Sequence, residues 1–363
     1  MQKDNRLFRR VARFIAVIAV LNLVGGLAAW LSLQHYWYQP RTFILEHDSY
    51  KIEKGVTLGF VVTDLVGRNV LEDARLARLC LRLFSPNLQV KAGRYQMFES
   101  GSYAELFEHF SSGISVQHRV TLVEGKTLEQ AIATIERQLK LINLKNNASN
   151  AKLDAVALLD TAALDIMSEP IVAEGWFYPD TYYFSEHDRA KDILRRAHVK
   201  MLSVLFEEWS GRDAGLPYQS PYEALIMASL VERETGAPHE RSMIAGVFVR
   251  RLQLNMRLQT DPSVIYGMGA SYDGNIRRAD LKRDTPYNTY TRAGLPPTPI
   301  ALPGREAIHA ALHPAQSDAL YFVARGDGSH HFSATHKEHI NAVRNYQILN
   351  RSKNYRSAPL GAE

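Results

Sequence analysis

The chain has 363 residues, 46% of them hydrophobic and 22% charged, a composition typical of a globular protein with room for one or two cores. Its formal net charge of +5 is concentrated at the start, where five basic residues against one acidic residue give +4 within positions 1–13 and leave +1 for the rest. Because the remainder is nearly neutral and has no basic block, we expect no nucleic-acid partner.

A membrane anchor is predicted next to this basic segment. Residues 14–33, FIAVIAVLNLVGGLAAWLSL, are uncharged and have the length of about 20 residues that a helix needs to cross a bilayer. The run is longer than the apolar core of a cleaved signal peptide, which is the alternative, and the aromatic residues 36–38 suit a membrane interface. We therefore predict a cytoplasmic segment at 1–13, a transmembrane helix at 14–33, a linker at 34–43, and an exported remainder.

A strand, a turn and an amphipathic helix recur between Tyr50 and Leu141. In the three copies Thr57, Ser102 and Thr127 stand where a helix N-cap is expected, because a hydroxyl oxygen there accepts a bond from a free first-turn amide. Units of this size are similar to the glycan-binding LysM module, although the periodicity alone favours a generic α+β scaffold. The single cysteine, Cys80, lies in an apolar context and is predicted to be a buried structural residue.

Helices dominate the pattern farther along the chain, and the fold class is predicted to be α+β. Helices are expected over residues 189–209, from the N-cap Ser220 and Pro221 to about 234, over about 240–254, and from Thr260 or Asp261 onward. We predict a strand in ALYFVAR, a loop or mobile helix at 143–160 and a loose tail at 351–363. The segment LPPTPIALPG, residues 295–304, is predicted to be a rigid loop lining a groove.

Two glutamates at the end of an apolar helical run are the candidate acids. Glu232 continues the face of Ser229, whereas Glu234 is rotated by about 200°, so a regular helix does not project both into one cavity. A carboxyl group against an apolar wall keeps its proton at neutral pH, which suits protonation of a glycosidic oxygen. The helix alone does not decide between the two residues.

Four blocks carry a family resemblance: ASLVERE, RLQTDPSVIYGMG, TPYNTYTRAGLPPTPIALPG and HHFSATHKEH. In this order they resemble the membrane-anchored endolytic murein transglycosylases of bacteria, over most of the chain beyond the first segment. The resemblance implies that Glu232, the first Glu of the A-S-[IL]-[IV]-E-x-E pattern, is the essential acid. It also implies a LysM-like subdomain at 44–118 and a catalytic domain at 119–350.

The same resemblance implies a set of substrate-binding residues. Amide and hydroxyl side chains suit the acetamido and hydroxyl groups of a glycan, and tyrosines stack on sugar rings. The alternative is that Asp261 is a helix cap and Asn288 a turn former, and the family commonly has Gly where Thr298 stands. The predicted residues are Gln259, Thr260, Asp261, Tyr266, Tyr287, Asn288, Thr289, Tyr290, Glu174 and His330.

The implied activity is non-hydrolytic cleavage of peptidoglycan strands beside the inner membrane, ending strand polymerisation near the synthases known as penicillin-binding proteins. Two alternatives stay open: a muramidase that uses water and a second carboxylate, and a non-catalytic glycan-binding scaffold that recruits synthases. No cofactor is expected. His330, His331, His336 and His339 fit no zinc motif, so no metal is expected there.

Overall fold

The computed structural model describes residues 2–43, 48–113, 117–142, 155–159, 172–185 and 188–349. The chain forms two compact units, Met1–His118 with Ser185–His187, and Arg119–Phe184 with Asp188–Glu363. The predicted tail from 351 and most of the predicted loop at 143–160 lie outside the described residues.

The first unit combines helices with two short antiparallel strand pairs. Its elements are α1 (Gln2–Tyr38), β1 (Arg41–Thr42), β2 (Ser49–Ile52), α2 (Leu58–Gly67), α3 (Ala74–Phe84), β3 (Gly93–Gln96), β4 (Ser100–Gly101) and α4 (Tyr103–Ser112). Strand β1 pairs with β4, and β2 pairs with β3 in a register that sets Ser49 against Gln96 and Ile52 against Gly93. Cys80 is buried in the core of this unit, as predicted.

Helix α1 is long and apolar enough over Arg13–Tyr38 to cross a membrane. Its last turn continues into the segment predicted to be a linker. Trp37 in that turn is fully buried and stacks on Phe107, with ring centroids 5.6 Å apart. The helix extends this far because burying a large aromatic ring removes apolar surface from water.

The three predicted N-caps are confirmed. The Thr57 hydroxyl accepts from the Phe60 amide at 3.3 Å, and the Ser102 hydroxyl forms a reciprocal capping box with Glu105. Thr127 makes the same exchange with Gln130, at 3.1 and 3.3 Å. Each cap satisfies first-turn amides that have no partner inside the helix.

The second unit is a helical core with two short strand pairs, which agrees with the predicted α+β class. Its elements are β5 (His118–Thr121), α5 (Leu128–Ile142), β6 (Thr181–Phe184), α6 (Ala190–Ser210), α7 (Pro221–Glu234), α8 (Arg241–Gln253), α9 (Asp261–Met268), α10 (Arg278–Lys282), α11 (Arg305–Leu312), β7 (Tyr321–Ala324), β8 (His330–Ser333) and α12 (His336–Val343). Strand β5 pairs with β6, and β7 pairs antiparallel with β8.

Helix α7 is the centre of this unit. Residues 224–231 are all buried, and the helix packs against α6, α8 and α11. The Ser220 hydroxyl accepts from the Glu223 amide and Pro221 occupies the first turn, as predicted from the sequence. An apolar helix buried on all sides fixes its C-terminal turn rigidly, and Glu232 lies in that turn.

Candidate active site

The Glu232 carboxyl group is buried at the end of α7, with only 6% of its side chain exposed. Its Oε2 accepts a hydrogen bond of 3.0 Å from the amide of Gly304, the N-cap residue of α11. Its Oε1 lies 3.7 Å from Nη2 of Arg241, at the start of α8. Three elements of the second unit thus converge on one carboxyl group.

Glu124 brings a second carboxylate to the same place. A Cβ atom built on Gly304 would lie 2.0 Å from Oε1 of Glu124, and one built on Gly125 would lie 3.8 Å from Cγ of Glu232. The turn that carries Glu124 is held by a bond of 2.9 Å from the Gly125 amide to the Leu302 carbonyl. The absence of a side chain at Gly304 is therefore what leaves room for this carboxylate.

Burial raises the pKa of the Glu232 carboxyl above its usual range, and the Glu124 carboxylate acts in the same direction. The Gly304 hydrogen bond and the positive charges of Arg241 and Arg233 lower this pKa, but burial is the larger effect. A carboxyl group in such surroundings holds a proton that it can donate, and its ionised form has an amide and a guanidinium close by. A carboxyl group in this setting is chemically able to donate a proton and to take one back.

Glu234 has different neighbours from Glu232, as the helix geometry predicts. Its Oε2 accepts from the Thr260 hydroxyl at 2.6 Å. Burial raises its pKa, and the Thr260 hydrogen bond lowers it. The two acids of α7 thus belong to two separate groups of contacts, and Glu234 supports the start of α9.

Glu174 is the second buried carboxyl group of the predicted site, with 6% exposure. It accepts from the Leu128 amide at 2.9 Å and from the Tyr266 hydroxyl at 3.3 Å. Burial raises the pKa of Glu174 to about 7, although both hydrogen bonds lower it. Tyr266 in turn contacts Tyr287, with ring centroids 4.9 Å apart, and the Tyr287 hydroxyl lies 2.9 Å from that of Thr298.

Most of the predicted polar residues around α9 bond to one another. The Thr289 hydroxyl accepts from the Thr260 amide at 3.0 Å and lies 2.9 Å from the Ser263 hydroxyl. The Asn288 side-chain amide donates to three backbone carbonyls at 2.6 to 3.2 Å. Thr260, Asn288 and Thr289 are at most 3% exposed, so they fix the shape of this segment from within.

Other predicted residues present polar groups closer to the surface. The Tyr290 hydroxyl donates to Oδ1 of Asp261 at 2.6 Å, and Asp261 is exposed. Gln259 is also exposed and has a positive φ of 52°, a conformation that a non-glycine residue adopts at a cost. Tyr266, Tyr287 and Tyr290 are partly exposed, so their rings and the side chains of Gln259 and Asp261 are accessible to a ligand.

His330 lies apart from the Glu232 contacts. Its amide and Nδ1 lie 2.8 and 2.7 Å from the two carboxylate oxygens of Glu240, and both side chains are buried. Such a reciprocal pair fixes the start of β8 against the turn before α8. Among the described residues, His330, His331, His336 and His339 do not gather into a metal-ligand group.

Sequence reasoning missed Glu124 and the Gly304 amide. Glu124 precedes α5 in the turn VEGK, and nothing in its local pattern distinguishes it from a surface glutamate. Gly304 ends the loop predicted to line a groove, and that loop does reach Glu232 through this residue. The contacts among Glu124, Glu232 and Gly304 join positions far apart along the chain, so only the folded protein reveals them.

Comparisons with known proteins identify the family of this chain. The model of the YceG-like family matches residues 50–345. An endolytic murein transglycosylase of Bacillus subtilis is 33% identical over 267 residues, which cover 70% of this chain and 73% of that protein. A protein of the same name from Streptococcus pneumoniae is 29% identical over 262 residues, covering 65% of this chain but only 46% of the relative.

One solved structure is similar in fold. The crystal structure of a YceG-like protein from Listeria monocytogenes, at 2.6 Å, superposes with a TM-score of 0.52 and 28% sequence identity. The similarity covers 81% of this chain and 97% of the Listeria chain.

Proposed function

Since this chain belongs to the YceG-like family, we propose that it is an endolytic lytic transglycosylase that cleaves the glycan strands of murein with Glu232 as its acid. One observation carries the assignment of the acid. The Glu232 carboxyl is buried at the rigid end of α7, where its pKa is raised and its oxygens face a backbone amide and a guanidinium.

In the first step, Glu232 donates its proton to the oxygen between N-acetylmuramic acid and N-acetylglucosamine. The bond from the anomeric carbon to this oxygen breaks, and positive charge develops on the sugar ring. A positioned acid of this kind contributes about 10²–10⁴-fold to the rate. The Gly304 amide and Arg241 then stabilise the carboxylate that forms, because they lie 3.0 and 3.7 Å from its oxygens.

In the second step, the Glu232 carboxylate removes the proton from the C6 hydroxyl of the same muramoyl residue. The C6 oxygen attacks the anomeric carbon and closes a 1,6-anhydro ring, and Glu232 regains its proton. The reaction consumes no water. Glu232 acts first as the acid and then as the base. The carboxyl group is ready for the next strand.

The predicted glycan contacts divide by exposure. Gln259, Asp261, Tyr266, Tyr287 and Tyr290 contact the sugars through amide, carboxylate and aromatic groups in this proposal. The other predicted residues hold this surface in shape. Thr260, Asn288 and Thr289 do so through buried hydrogen bonds, Glu174 through the Tyr266 hydroxyl, and His330 through Glu240.

Location and partners complete the proposal. The apolar part of α1 anchors the chain in the inner membrane, with the basic segment in the cytoplasm and the chain beyond α1 outside it. The paired strands β2 and β3 around α2 and α3 support the assignment of a LysM-like, glycan-binding portion at 44–118. A tethered enzyme reaches strands close to the bilayer, where it ends their polymerisation beside the synthases.

A muramidase is the second candidate, and Glu124 is the observation that favours it. Direct hydrolysis needs a second carboxylate to activate water, at roughly 6.5–9.5 Å from the acid. Glu124 reaches the same Gly304 that donates to Glu232, so a water held between the two carboxyl groups would have a base. The two reactions differ in their products.

Mass spectrometry of murein digested by the full chain in detergent separates these functions. We expect muramic ends one water lighter than hydrolytic ends, lost in Glu232→Gln and kept in the control Glu136→Gln, which removes an exposed carboxylate on α5. Reducing ends would instead identify a muramidase. Intact strands with folded wild-type protein would favour a glycan-binding scaffold, and cleavage by Glu232→Gln at the wild-type rate would refute the assignment of the acid.

A further inference from the structure

A group of metal-ligating side chains lies at the opposite end of α11 from Gly304. Glu208 near the end of α6 and His309 and His313 at the end of α11 each offer one ligand atom, and these atoms all lie within 4.8 Å of one another. The histidines are four residues apart, so α11 presents them on one face. Neither the proposed reaction nor the sequence patterns use these residues.

The geometry is close to that of a zinc site. Nδ1 of His309 lies 2.8 Å from Oε2 of Glu208, and the two imidazole rings have centroids 4.3 Å apart. Zinc bonds of about 2.0–2.1 Å in a tetrahedral arrangement place ligand atoms about 3.3 Å from one another. The three ligand atoms are at most 4.8 Å apart, which is within about 1.5 Å of that spacing.

Outer contacts orient two of the three side chains. Nδ1 of His313 lies 3.1 Å from Oδ1 of Asp213, which leaves Nε2 of His313 for a metal. Arg305 lies 3.4 Å from Oε1 of Glu208, so Oε2 of Glu208 faces the histidines. A carboxylate that holds the second nitrogen of a ligating histidine is a recurring feature of zinc sites.

The surroundings allow a cation to enter. The His309 side chain is 55% exposed, whereas that of Glu208 is only 11% exposed. An ion can therefore approach from the side of His309. Among the described residues, Glu207 and Glu208 pair with the guanidinium of Arg305, and Asp213 adds a third carboxylate. Imidazole and carboxylate are ligands that Zn²⁺ accepts, with water in the remaining position.

We propose that Glu208, His309 and His313 bind a divalent transition-metal ion of the zinc class, with Asp213 orienting His313. The bound ion joins the C-terminal end of α6 to α11, the helix whose N-cap amide donates to Glu232. The bound ion stabilises the packing of α11 against α6 and takes no part in bond cleavage. It stands independently of the proposed activity.

Isothermal titration of ZnCl₂ into EDTA-treated, tag-free full chain in detergent tests the site. We expect one ion per chain, with affinity reduced at least about tenfold in His309→Gln and in His313→Gln. Asp213→Asn is expected to weaken binding by a similar factor while leaving the ligands present. The control His336→Gln removes an exposed histidine at the start of α12 and should bind as the wild type does.

Circular dichroism before titration establishes that each variant is folded, and Asp213→Asn provides a test that keeps both histidines. Zinc should also raise the melting temperature of the wild type and of His336→Gln, but of neither variant at His309 or His313. The proposal is overturned if the wild type takes up no stoichiometric zinc. It is equally overturned if the histidine variants bind zinc as tightly as the control.

Discussion

Glu174→Gln tests whether a buried carboxyl group of the site is neutral in the folded protein. Glu174 is buried, and its pKa rises from an ordinary 4.5 to about 7. A difference of this size corresponds to about 3 kcal/mol between the folded and unfolded states. Glutamine has nearly the same shape, and its carbonyl oxygen still accepts from the Leu128 amide while its NH₂ group faces the Tyr266 hydroxyl.

The direction of the effect follows from the raised pKa. Below about pH 4.5 Glu174 carries its proton in both the folded and the unfolded state, so its contribution to stability is fully present. As the pH rises toward and through 7, the unfolded state gains by ionising first, and the contribution is lost. Between pH 5 and pH 8 the free energy of unfolding of the wild type should therefore fall by roughly 2–3 kcal/mol more than that of Glu174→Gln.

Hydrogen-exchange mass spectrometry in urea measures the free energy of unfolding on peptides of α7, which report on the second unit alone. Glu136→Gln is the control, because Glu136 is an exposed carboxylate on α5 and its loss should leave the wild-type profile unchanged. The physical reasoning fails if wild type and Glu174→Gln lose stability in parallel between pH 5 and pH 8. In that case burial would not hold the proton on this group.

Two further predictions concern the contacts of the site. Glu124→Gln removes the negative charge that raises the pKa of Glu232, so the alkaline limb of the pH–rate profile of murein cleavage should move to lower pH, and an unmoved limb would contradict the electrostatic argument. Gly175→Ala should lower the melting temperature more than Gly215→Ala. Both glycines have a positive φ, which costs another residue about 1–2 kcal/mol, but a Cβ at Gly175 would lie 2.5 Å from that of Pro299 whereas Gly215 has open space. Equal melting temperatures of the two variants would show that the loop at Pro299 moves aside without a cost in stability.

The boundaries of α7 were predictable because their signals are local, whereas α10, α11 and α12 were not predicted from the sequence. Ser220 and Pro221 start α7, and the helix ends before Thr235, as the sequence indicates. The N-caps Thr57, Ser102 and Thr127 were predictable for the same reason: a cap satisfies amides within three residues of itself. Helix α1 extends beyond its predicted end because Trp37 packs on Phe107, which is seventy residues away in sequence.

The sequence by itself determined the chemical class of this protein: an apolar N-terminal helix, an α+β region after it, and an acid pair within motifs that resemble a murein transglycosylase. Helical rotation also separated Glu232 from Glu234 before any contact was known. The tertiary structure alone decided which groups surround Glu232. The Gly304 amide, Arg241 and Glu124 come from three other segments, and their effect on a proton depends on distance and burial. Neither the distances nor the burial can be predicted from the local sequence, because both arise only when α7, α8 and α11 pack together.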